Sequence, residues 1–110
     1  MKLETAQSFS SPNATPADIR TAIADDAQRG EFLIQSRSDS CFIQAAGDEE
    51  PFFVEYYNDD PQKPRAYQCQ SHLTRSQLER VLLKYLAQDE DWEVGYEWVL
   101  EEERPWWKFW

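Results

Sequence analysis

Four short runs of alternating, β-branched and aromatic residues follow one another through the middle of the chain. They are Glu31–Arg37 (EFLIQSR), Ser40–Ala46 (SCFIQAA), Phe52–Tyr57 (FFVEYY) and Arg65–Ser71 (RAYQCQS). The segments between them, Ser38-Asp39, Gly47-Asp48-Glu49-Glu50-Pro51 and Asn58–Pro64, are short and rich in turn formers. Parallel neighbours need crossovers of about a dozen residues, so these runs can pair only as an antiparallel meander. Alternation assigns the faces. Phe52, Val54 and Tyr56 share one side of the third run, with Phe53, Glu55 and Tyr57 on the other. In the fourth, Tyr67 and Cys69 oppose Ala66, Gln68 and Gln70.

Helices flank the meander. Thr15-Pro16-Ala17-Asp18 has the chemistry of a helix start, with a capping threonine, a proline in the first turn and an acid three residues after the cap. Ala17, Ile19, Ala22, Ile23 and Ala27 form its apolar stripe, and Gly30 is expected to stop it. The second helix opens on Leu73-Thr74-Arg75-Ser76-Gln77, a capping box with Leu73 placed to staple onto Leu78. Leu78, Val81, Leu82, Tyr85 and Leu86 repeat at helical spacing up to an end near Gln88. There Asp89-Glu90-Asp91 puts negative charge at the unfavourable end of the helix dipole.

Trp92–Leu100 alternates throughout. Trp92, Val94, Tyr96, Trp98 and Leu100 fall on one face, and Glu93, Gly95, Glu97, Val99 and Glu101 on the other, which predicts a final strand. The expected fold is α+β: an antiparallel meander sheet of about five strands with two helices on one face, in the order αββββαβ. Residues 1–14 are expected to be a flexible segment, 15–103 a single domain and 104–110 a Trp-rich tail. A chain of 110 residues suits one domain. Its 41% hydrophobic and 15% aromatic content supplies a core without a metal or disulfide staple.

All five tryptophans fall between Trp92 and Trp110. Trp92 and Trp98 have a home beneath the helices. The rings of Trp106, Trp107, Phe109 and Trp110, left in solvent, would reach the few-hundred-Å² ceiling for exposed apolar patches on monomers. Either the tail folds back, turned by Pro105, or it meets another chain, as a homodimer contact or a partner contact. Trp and Arg anchor interfaces, so Arg104–Trp107 has the composition of one.

The net charge is −10, from 21 acids and 11 bases. Nucleic acid and anionic membranes both recruit clustered Lys and Arg, so neither is an expected partner. A basic protein is, although such a charge also serves solubility alone. The acids are unevenly placed. Asp48, Glu49, Glu50, Glu55, Asp59 and Asp60 bracket the third run, while Asp89, Glu90, Asp91, Glu93, Glu97, Glu101, Glu102 and Glu103 line the last. Residues 61–86 hold five bases and one acid. Charged edge strands also block aggregation, a purely structural use for Glu93, Glu97 and Glu101.

No arrangement of residues names a reaction. His72 is the single histidine, and alternation turns it away from Cys69. Carboxylates on a solvated face are not an acid/base pair without a pocket that separates their pKa values. Asp89-Glu90-Asp91 lacks calcium-loop spacing, and Gly30, Gly47 and Gly95 form no phosphate-cradling loop. No catalytic residue, metal or cofactor is expected. MKLETAQSFSSPN lacks the apolar core of a signal peptide, and no run approaches the roughly eighteen apolar residues of a membrane span. A cytoplasmic chain is expected, with Cys41 and Cys69 as buried reduced thiols rather than a bridge between strands.

The stretches CFIQAAGDEEPFFVEYY and HLTRSQLERVLLKYLAQDEDWEVGYEW, over roughly residues 15–98, resemble immunity proteins of bacterial polymorphic-toxin and contact-dependent inhibition systems. The resemblance implies an inhibitor that occludes a cognate toxin, often a basic nuclease or deaminase. An acidic surface would mimic the phosphate backbone and steer association. On that reading Glu93, Glu97, Glu101, Glu102 and Glu103 supply charge, and Trp106 and Trp107 apolar anchors. Two other classes stay open. One is a dimeric secretion chaperone that binds an unfolded effector segment along its sheet. The other is a housekeeping protein whose tail serves only folding.

Overall fold

The computed structural model describes residues 1–7, 9–38, 40–58, 65–89 and 91–100, with the backbone alone at 28 and 65. Among the described residues seven strands form one antiparallel sheet: β1 (Lys2–Thr5), β2 (Ser10–Ser11), β3 (Phe32–Ser38), β4 (Cys41–Ala46), β5 (Phe53–Asn58), β6 (Arg65–Cys69) and β7 (Trp98–Leu100). Their order across the sheet is β2-β1-β3-β4-β5-β6-β7, so the four central runs form the expected meander. Helix α1 (Pro16–Ala24), the single turn α2 (Asp26–Arg29) and helix α3 (Arg75–Leu86) are the helical elements among the described residues.

The sheet is thus wider than the expected five strands. The two added strands come from the first fourteen residues, expected to be flexible. Lys2 and Glu4 point one way and Leu3 and Thr5 the other, and β1 pairs along its length with β3, from Lys2 opposite Ser36 to Thr5 opposite Leu33. Leu3 is wholly buried.

Strand pairing confirms the faces read from alternation. One row runs Leu3, Gln35, Ile43, Tyr56, Tyr67, Leu100 across the strands, and a second runs Thr5, Leu33, Ala45, Val54. From these rows Leu3, Ile43, Leu33, Ala45 and Val54 form the core with Ile19, Ala22 and Ile23 of α1 and Leu78, Val81, Leu82 and Tyr85 of α3. Thr5 and Gln35 are the polar members of these rows, and Gln35 is wholly buried. Its amide donates to the Leu82 carbonyl at 3.2 Å and so ties β3 to α3.

Both helices start as their sequences require. The Thr15 hydroxyl accepts from the Asp18 amide and the Asp18 carboxylate from the Thr15 amide. Thr74 and Gln77 repeat the exchange in α3. Leu73, just before that cap, is buried and bridges to Phe52 through two 2.8 Å backbone bonds.

Helix α1 ends at Ala24, short of Gly30, because a salt-bridged clamp takes over its last turn. Arg29 is 1% exposed, and its Nη1 donates to the Ala22 and Ile23 carbonyls at 3.2 and 2.8 Å. Its Nη2 donates to Asp26 at 2.7 Å and to the Asp48 carbonyl at 2.8 Å. Arg75, from the first turn of α3, also donates to the Ile23 carbonyl and grips both Asp26 oxygens, at 2.8 and 3.0 Å. Both guanidiniums lie over the Phe52 ring, 4.7 and 5.9 Å from its centre. Gly30 follows with φ +74°, and a Cβ there would stand 2.8 Å from Gln7 Cγ.

Helix α3 closes on a Schellman turn in which the Gln88 amide meets the Tyr85 carbonyl at 3.1 Å and the Asp89 amide meets that of Lys84 at 3.0 Å. The turn puts Gln88 at φ 58°, where a side chain is strained. Gln88→Gly should therefore raise stability by about 1 kcal/mol in urea unfolding.

The clamp makes a second prediction. Hydrogen bonds from Arg75, then Arg29, hold the Asp26 carboxyl down at about 2 from its ordinary 3.8. Its contribution is complete above 3.8 and is lost as the pH falls toward 2. Asp26→Asn should cost about 1–2 kcal/mol near neutrality, the lower part of the range for charged hydrogen bonds because the carboxyl is partly solvated. It should also flatten the acid limb of stability against pH, which urea titrations across that window measure.

Candidate protein-binding surface

The acids predicted to gather on a last strand are displayed instead on a turn, and an aromatic cluster fixes that turn. The strand expected over Trp92–Leu100 is real only from Trp98; residues 91–96 are turn and bend. Trp92 and Trp98 lie six residues apart, about 20 Å in an extended strand, yet their ring centres are 5.4 Å apart. Tyr56 joins them, edge-on to Trp92 at 4.7 Å and to Trp98 at 5.0 Å, and it stacks on Tyr67 at 4.9 Å. Tyr85 of α3 meets Trp92 edge-on at 5.3 Å. The chain doubles back so that both indoles reach this cluster, with Gly95 at φ +99° inside the turn.

Glu93 belongs to the cluster more than to the surface. Its carboxylate accepts from the Tyr56 hydroxyl at 3.0 Å, and its carbonyl accepts from the Trp98 indole at 2.9 Å. Glu97 has an exposed side chain, while its carbonyl accepts from the Gln70 amide at 2.8 Å. Asp89 and Asp91 are exposed, and Lys84 reaches Asp91 at 3.0 Å. The structure therefore places Asp91 on a pinned turn, with the exposed Asp89 before it and Glu97 after it, and withdraws Glu93. Glu101, Glu102, Glu103, Trp106 and Trp107 lie outside the described residues.

A cleft of about 140 Å³ opens beside the turn, lined by Arg37, Cys41, Tyr57, Tyr85, Trp92 and Glu93 among others. Arg37 stacks 3.9 Å from the centre of the Tyr85 ring and donates to the Tyr85 carbonyl at 3.0 Å. Cys41 Sγ lies 3.7 Å from the Tyr85 hydroxyl. Both cysteines are free thiols; Cys69 is buried, but Cys41 is only half-buried. Sequence reasoning missed this cleft, because only the register brings Arg37, Tyr57 and Trp92 together.

The second acidic run lies at the other end of α3. Asp48, Glu49 and Glu50 are exposed there, and Glu50 accepts from the Arg75 amide at 2.6 Å. Among the described residues no grouping of His, Cys, Asp and Glu is placed to hold a metal ion. His72 is exposed, edge-on to Phe53 at 5.8 Å. No described helix is long and apolar enough to cross a membrane. No family model, curated protein or solved structure matches this chain.

Burial, then the hydrogen bond to Glu93, pushes the Tyr56 phenol above its ordinary 10.0, and burial, then Cys41, does the same for Tyr85. Their stabilisation is complete below 10.0 and disappears as the pH climbs beyond it, since the unfolded phenols ionise first. Tyr56→Phe should therefore lessen the loss of stability about one unit above the ordinary tyrosine value. Comparing urea midpoints of the two proteins there and at neutrality measures the difference.

Proposed function

We propose that this chain is an acidic protein-binding module, an immunity-type inhibitor that occludes a basic toxin domain of the nuclease or deaminase class. The observation that carries the reading is the set of exposed carboxylates, Asp89, Asp91 and Glu97, held around the turn that follows α3. Asp26 and Glu50 are accounted for by folding, because they meet buried or capping arginines and the amino end of α3. Asp89 accepts from the Asp91 amide at 3.2 Å and Asp91 meets Lys84, so local bonds hold these two carboxylates in place at the surface, and Glu97 is exposed nearby in the sequence. Asp89 and Asp91 stand beside the carboxyl end of α3, where negative charge opposes the helix dipole, and Lys84 meets Asp91 alone. Holding exposed carboxylates in that unfavourable place, on a turn fixed by two indoles, is what a preorganised surface for a cationic partner requires.

Glu101, Glu102 and Glu103 extend the same charge in the sequence immediately after β7. Together these groups would steer a basic partner and set the orientation in which it docks. The partner would be captured with the chain as bait and identified by mass spectrometry. Association is then followed by stopped flow over a range of salt concentrations. Glu97→Lys with Glu101→Lys should slow capture about tenfold at low ionic strength and flatten the salt dependence. An unchanged association rate would refute this surface as the contact.

A further inference from the structure

Four aromatic side chains, Tyr56, Tyr57, Tyr85 and Trp92, help to wall the cleft beside the turn, and Arg37 and Glu93 are its charged groups among the described residues. Each ring is held by another. Tyr56 stacks on Tyr67 and meets Trp92 edge-on, Trp92 meets Tyr85 edge-on, and Tyr57 stacks on Phe42. A ligand would therefore find the walls already in place and would not have to order them. The cleft measures about 140 Å³. Apolar cavities of about 150 Å³ take up benzene, so the size that fits is one aromatic ring.

The polar groups narrow the choice further. Arg37 lies over the Tyr85 ring and its Nη2 donates to the Tyr85 carbonyl at 3.0 Å, but its Nε is buried with no acceptor among the described residues. A guanidinium carries several N–H donors, so folding leaves part of its donor capacity unspent. Glu93 is the counterpart. The Tyr56 hydroxyl donates to its Oε2 at 3.0 Å, and a carboxylate has room for further donors. One cation and one anion offset each other. Burial, then the bonds to Glu93 and Cys41, raises the Tyr56 and Tyr85 phenols, so both stay un-ionised around neutrality. A ligand carboxylate would meet Glu93, and a ligand ammonium would meet Arg37. A neutral group with an acceptor and a donor is opposed by neither.

We propose that this cleft binds an uncharged, planar, single-ring ligand that carries a hydrogen-bond acceptor beside a donor, the chemistry of an aromatic carboxamide. The ring packs among Tyr57, Tyr85 and Trp92, where ring-on-ring contact supplies the affinity. The ligand carbonyl accepts from Arg37 and its amide donates to Glu93, and these two bonds fix its orientation. The site stands on the cleft alone. It does not rest on the docking of a basic partner at the acidic turn.

Benzamide, benzoate and benzylamine share a ring and differ in charge. Titrating each into the full-length isotope-labelled chain, followed by NMR, separates polar selection from burial of the ring. Benzamide should bind with a Kd on the order of a millimolar, as so small a ligand allows. It should shift the amides of Arg37 and Tyr57 and the indole of Trp92. Benzoate and benzylamine should bind about fivefold more weakly, because each places like charges together. Cyclohexanecarboxamide, which keeps the amide and loses the flat ring, should also bind more weakly than benzamide. Glu93→Gln should turn the preference toward benzoate and Arg37→Gln toward benzylamine, a reversal that loss of packing alone does not produce. The series on the unsubstituted chain gives the answer by itself should either variant fail to fold. Equal binding of the charged and neutral rings, shifts scattered away from the cleft, or no saturable shift would each overturn the proposal.

Discussion

The clamp of Arg29 and Arg75 on Asp26 is the contact on which the layers of this protein depend. It gathers the carbonyl end of α1, the amide end of α3 and the loop before β5 over a single ring, Phe52. A guanidinium 1% exposed is tolerable because its two Nη groups meet two helix carbonyls, a loop carbonyl and a carboxylate. The geometry decides where α1 stops. With the Ala22 and Ile23 carbonyls already capped from the side, the chain turns at Asp25 instead of running on toward Gly30.

The same device recurs at the other helix. Arg37, from the end of β3, donates to the Tyr85 carbonyl and lies against the Tyr85 ring. Each longer helix thus ends on an arginine delivered from another element, and each arginine also rests on an aromatic face. The two ends of α3 are consequently fixed by different materials. Ion pairs and Phe52 hold its start, while Tyr56, Trp92 and Trp98 hold the turn beyond its carboxyl end. That arrangement lets the chain present an acidic turn without a regular element beneath it.

Much of this was readable from residues. Both capping boxes were, because their partners sit three positions apart in the sequence. The faces of β5 and β6 were, because a strand's period is two and Phe52, Val54 and Tyr67 obey it. The amino-terminal strands were not. In KLET only Leu3 is strongly apolar, and pairing with β3 decides its fate more than any local propensity. The last run misled for a different reason. Trp92 to Leu100 alternates as a strand should, but both indoles gain more by converging on Tyr56 than by lining up along a sheet. Tertiary packing overrode the pattern, with Gly95 able to take the positive φ that lies within the turn. Arg29 was hidden too, since nothing in AQRG announces a buried cation.

That override bears on the purpose of the acidic turn. Had the run been a strand, Glu93, Glu97 and Glu101 would have been a charged sheet face, and protection against edge pairing would have explained them. On a turn that explanation weakens. Glu93 is taken up by Tyr56, and Asp89 and Asp91 stand against the dipole of α3. Asp89 accepts from the Asp91 amide and Asp91 meets Lys84, so local bonds fix both carboxylates at the surface. On the proposed function, carboxylates held in that place, beside a cleft walled by Tyr57, Tyr85 and Trp92, would meet a cation that arrives from outside.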